Sequence, residues 1–109
     1  MSSELEDLLM FHIKVAGLPE PVREYTFLPG RKFRADLAYV EKKILIEVQG
    51  GIYTKSAHNT GMGLERDYTK YNLANLSGWR VLQFSRSMIE DGSAVEFIKK
   101  CLNQREENE

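Results

Sequence analysis

The run Ile44-Leu-Ile-Glu47-Val-Gln49 constrains this chain more than any other stretch. Its aliphatic residues, bounded by Lys42-Lys43 on one side and Gly50-Gly51 on the other, predict a short strand buried on both faces. An acid at the end of such a strand is costly to bury unless it is paired or bound to a cation. A second acid, Asp36, lies in the preceding strand-like segment, so pairing of the two segments as a hairpin brings Asp36 and Glu47 to one point. Two convergent carboxylates suit Mg²⁺, which takes one or two of them and keeps several waters. A solvated or salt-bridged pair is the plainer alternative, and spacing alone leaves both open.

The rest of the chain fills in around that strand. With 109 residues, the sequence fits one domain, 1–109, around a single core, with a charged tail fraying from about residue 104. A net charge of -1 gives no global pull toward nucleic acid, although a local basic cleft focuses a field without one. Cys101 is the single cysteine, which excludes an intrachain disulfide framework and fits a reducing compartment. The acidic start and the lack of any apolar run of membrane-spanning length predict a cytoplasmic protein with no membrane partner.

Ser3 with Glu6 forms a capping-box pattern, and Leu5, Leu8, Leu9, His12, Ile13 and Ala16 continue it as one helical stripe. That stripe assigns His12 to the core. Strands are predicted over Val22 to Leu28, Phe33 to Val40 and Lys43 to Gln49, as an antiparallel meander. In the second, Phe33, Ala35, Leu37 and Tyr39 alternate with Arg34, Asp36 and Ala38, which places Asp36 opposite the aromatics. Gly50 to Gly63 reads as a functional loop holding Lys55 and His58. A second helix follows over Leu64 to Ser77, with Leu64, Tyr68, Tyr71 and Asn75 on one side and Arg66, Lys70, Leu73 and Ser77 on the other. Arg80 to Phe84 is a fourth strand after a helical crossover, which suggests parallel pairing. Ser87-Met-Ile-Glu90 repeats the capping pattern ahead of one final helix. The fold class is therefore α/β in the α+β arrangement: a mixed four-stranded sheet flanked by helices.

This order, with an acid in strand two and Glu-x-Gln ending strand three, resembles the PD-(D/E)XK nucleases. Asp36, Glu47-Val-Gln49-Gly-Gly51, His58, Arg66-Asp67, Lys70 and Gly78-Trp-Arg-Val-Leu-Gln-Phe84 are similar, more narrowly, to the very-short-patch-repair-like branch, whose small stand-alone members occur in bacteria and phages. The resemblance spans residues 3 to 98 and implies a restriction-endonuclease-like αβββαβα core. It also implies a Mg²⁺-dependent (or Mn²⁺-dependent) DNA endonuclease acting in a bacterial or phage-infected cytoplasm on double-stranded or branched DNA. Asp36 and Glu47 would be metal ligands with the Val48 carbonyl, joined by a first-helix acid at Glu6 or Glu4. His58 would serve as general base toward a metal-activated water, and Lys70 would approach the scissile phosphate. Arg31, Lys32, Arg34, Lys55 and Arg66 are the candidates for holding DNA, with Lys42 and Lys43 beside them. Interleaved acids such as Glu41 make a solvated surface the bland alternative. One centre per chain implies a homodimer for cutting both strands. Gln49 departs from the family pattern, where Lys or an acid stands. A neutral amide can orient water or bind phosphate but carries no charge. That departure keeps two alternatives in view: a catalytically impaired DNA-binding module, or a small structural protein.

Overall fold

The computed structural model describes residues 3–48 and 62–104. Within them run α1 (Glu4–Val15), β1 (Val22–Thr26), β2 (Arg34–Tyr39), β3 (Ile44–Val48), α2 (Met62–Leu76), β4 (Arg80–Phe84), α3 (Arg86–Glu90) and α4 (Ser93–Asn103). Gln49, predicted to end the third strand, and the predicted loop with Lys55 and His58 lie outside the described residues, apart from the last two loop positions, which open α2.

Ser3 starts α1 by accepting the Glu6 N–H at 3.0 Å, and Glu4, Glu6 and Asp7 place negative charge at the positive end of the helix dipole. Leu5, Leu9 and Ile13 bury their side chains. The capping pattern explains only half of Glu6, because its carboxylate belongs to an acidic cluster described below. His12 is half-buried rather than fully in the core, and its Nδ1 has no hydrogen-bond partner.

The sheet order is β1-β2-β3-β4. Its first three strands form an antiparallel meander, and β4 pairs parallel to β3 across the α2 crossover, as the sequence suggests. Ile44 and Ile46 point into one apolar cluster with Leu5, Leu9, Ile13, Phe84, Ile89 and Ile98, and Leu45 points into the other with Phe27, Ala74 and Trp79. Thus β3 is buried on both faces: α1, α3 and α4 cover one and α2 covers the other.

The alternation expected for β2 breaks at Asp36. Leu37 and Tyr39 join the α1-side cluster, whereas Ala35, of the same parity, packs with Ala38 on the α2 side. The neighbouring strand shows why. Arg23 reaches Asp7 on α1, yet Tyr25 stacks against Trp79 at 5.8 Å, and Glu24 between them has φ +53. Left-handed backbone at that residue turns β1 over to its other face, and the paired Ala35 follows Tyr25.

Two expectations about the helices are corrected. Among the described side chains of α2, Ala74 is buried and Lys70, Tyr71 and Leu73 are half-buried, so Lys70 and Tyr71, expected on opposite sides, share the inward one while Tyr68 and Asn75 face out. The helix has few apolar residues to turn inward, and the polar ends of Lys70 and Tyr71 find a buried partner instead. The final helix is two helices. Ser85, not Ser87, is the cap, accepting the Met88 N–H at 3.3 Å, and Gly92 at φ +87 ends α3 before α4 begins. No described helix is long and apolar enough to cross a membrane.

Candidate metal centre

One step beyond the Leu37–Ile46 pair, β2 and β3 bring Asp36 and Glu47 together. They do so reciprocally. The Asp36 N–H donates to Glu47 Oε2 at 3.1 Å, and the Val48 N–H donates to Asp36 Oδ2 at 2.7 Å. Val48, expected to offer its carbonyl, therefore meets Asp36 through its N–H.

Glu47 is buried and both of its oxygens are engaged. Lys70 Nζ donates to Oε1 at 2.7 Å, and the Tyr71 hydroxyl donates to the same atom at 3.0 Å. Lys70 also donates to the Arg34 carbonyl at 2.7 Å, which ties α2 to β2. Burial together with the negative charge of Glu47 lifts the Tyr71 phenol well above its ordinary range.

Among the described residues, Asp36 also belongs to a cluster of three carboxylates close enough to share an ion. Glu6 from α1, Glu24 from β1 and Asp36 from β2 place oxygens within 4.8 Å of one another. Like charges at that separation oppose ionisation. Burial, then Asp36 and Glu24, push Glu6 up to about 7, against the pull of Arg23, whose Nη1 lies 3.6 Å from Glu6 Oε1. That separation is ion-pair distance and too long for a hydrogen bond, so the buried Oε1 has no hydrogen-bond partner. Asp36 is raised as well, chiefly by burial, with the Val48 N–H and Lys70 working the other way.

No protein-family model, curated protein or solved structure matches this chain. Its chemistry has to be argued from its own residues.

Among the candidate DNA-contacting residues, Lys32, Arg34 and Arg66 gather with Lys70, Phe33, Glu24, Asp36 and Asp67 around one groove of about 250 Å³. Arg34 pairs with Glu24 at 3.5 Å, and the Arg31 and Arg66 guanidinium carbons sit 5.5 and 5.9 Å from the Phe33 ring centre. Lys42 and Lys43 precede β3, at the end opposite Glu47, where Lys43 lies 4.8 Å over the Trp79 ring. Three contributors escaped the sequence reading. Glu24 carried no signal beyond being a charged residue in a strand. Arg23 reads as an ordinary exposed strand residue. Tyr71 was detectable only as the neighbour of Lys70.

Proposed function

We propose that this protein is a metal-dependent DNA endonuclease, with Asp36 and Glu6 holding a divalent cation and the Lys70–Glu47 pair beside it. The observation that carries the reading is the meeting of a buried α1 carboxylate and a β2 carboxylate next to a lysine fixed at 2.7 Å on a third acid. The donor set is all carboxylate oxygen, which suits Mg²⁺ or Mn²⁺, and Glu6 Oε1, buried without a hydrogen bond, is the kind of atom that a cation would satisfy. When bound, such an ion supplies charge neutralisation at a phosphate and a lowered pKa for an attacking water.

The chain's own residues supply the rest. Asp36 is held in place by the Val48 N–H, and Glu47 by Lys70, Tyr71 and the Asp36 N–H. Lys70 brings a positive charge from α2, where the neutral Gln49 cannot, and so offsets charge that builds on a phosphate in the transition state. Lys32, Arg34 and Arg66 line the groove leading to the acids and offer contacts to the DNA backbone. His58, in the segment after Gln49, remains the candidate base. One centre cuts one strand, so cutting both would take two chains.

The test is nicking of supercoiled plasmid with Mg²⁺, Mn²⁺ or EDTA, comparing wild type with Asp36→Ala. Nicking that needs metal and disappears in the variant supports the reading. Gln49 favours a second reading, a DNA-binding module without cleavage. Absence of nicking together with a retained gel shift would select it, and silence in both assays would sink both.

A further inference from the structure

Glu24 has an unusual position. It is a non-glycine residue at φ +53 in the middle of a strand, where L-residues are disfavoured. By the register of its neighbours, Arg23↔Leu37 and Tyr25↔Ala35, it stands opposite Asp36, where a like charge is destabilising. Its carboxylate pairs with Arg34 at 3.5 Å, and both side chains are well exposed, so that pair contributes little. The cluster that Glu24 completes also contains Glu6, which is 6% exposed and has a buried oxygen with no hydrogen-bond partner. A carboxylate oxygen buried that deeply with no hydrogen bond, and with only the Arg23 guanidinium at 3.6 Å to offset carboxylates from three separate elements, marks a place where a cation belongs.

We infer that Glu24 is a third ligand of the divalent cation, delivered by the left-handed turn of β1, so that the centre is held from α1, β1 and β2 together. This rests on the metal-centre reading above and adds a ligand to it. The left-handed backbone is what carries the Glu24 carboxylate to Asp36 and Glu6 while Arg23 and Tyr25 go to opposite faces.

Mn²⁺ titration of the full-length protein by calorimetry tests this, using wild type, Asp36→Asn, Glu24→Gln and Glu24→Gly. The expected result is a single Mn²⁺ site weakened at least about tenfold by Glu24→Gln, the loss typical of removing even a group that merely supports a ligand. Glu24→Gly removes the carboxylate but accepts the left-handed backbone readily, so it should lose Mn²⁺ affinity to the same degree while melting no lower than Glu24→Gln. Unchanged affinity in both Glu24 variants, with binding lost in Asp36→Asn, would overturn the inference and leave the metal centre standing. Absence of Mn²⁺ binding by wild type, or binding indifferent to Asp36, would overturn both.

Discussion

Glu47 shows how much a single buried side chain depends on its partners. Its side chain is about 10% exposed, and two of the three hydrogen bonds it makes among the described residues come from neighbouring residues of α2. Tyr71→Phe should cost about 1–2 kcal/mol in urea denaturation, the usual penalty for a lost bond to a buried acceptor. Lys70→Met should cost more, about 3 kcal/mol, because it leaves a buried carboxylate without its counter-charge. Glu6 gives a pH signature. In the unfolded chain its proton leaves near 4.5, while the folded protein holds it until about 7. The folded state therefore binds more protons across that window, and stability falls as pH rises through it. In metal-free buffer stability should fall measurably between pH 4.5 and 7, with Asp36 shifting in the same direction. Urea midpoints at pH 5 and pH 8 check this, and the slope should largely flatten in Glu6→Gln. These residue-level facts were only partly legible. Asp36 and Glu47 stood out as acids against an apolar strand, but Glu24 owes its place to a backbone angle that no spacing rule encodes.

Among the elements, the strands were easiest to read and the helix boundaries hardest. The run at Ile44 fixed a doubly covered β3 because few arrangements bury that many consecutive aliphatic residues. Strand β4 matched over Arg80–Phe84 because Gly78 and Ser85 punctuate it. The C-terminal helices misled because Ser87-x-x-Glu90 and Ser85-x-x-Met88 compete for one cap, and the chain uses the serine adjacent to the strand end. Ser85→Ala should therefore lower stability by about 1 kcal/mol, whereas Ser87→Ala should change it little. Thermal melts of the two variants decide between the caps. Gly92→Ala should cost about 1–2 kcal/mol although nothing lies within 4 Å of an added Cβ, since the cost comes from backbone at φ +87 alone. For α2, periodicity put Lys70 and Tyr71 on opposite sides, whereas Glu47 draws both inward, a tertiary attraction that an apolar count does not register.

At the scale of the molecule, charge is sorted by place rather than by sum. The basic residues around the acidic groove are Lys32, Arg34, Arg66 and Lys70, while Lys42 and Lys43 sit at the other end of β3. If DNA lies along that groove, Lys32→Ala should reduce the slope of log affinity against log salt by about 0.9, the contribution of one phosphate contact to duplex DNA. Lys42→Ala should leave it unchanged, as fluorescence anisotropy across a salt series would show. Net charge concealed this arrangement, since the acids and bases that meet in the groove cancel one another in a total of -1. The meander and the parallel strand are joined through α2, and at that junction Trp79 is buried between Tyr25, Phe27 and Ala74. It is the chain's sole tryptophan. Its emission therefore reports one event, the closing of the crossover onto the sheet. A chain with its hairpins formed and α2 undocked should glow like the denatured protein, which makes this indole a native optical reporter of whether the crossover has docked.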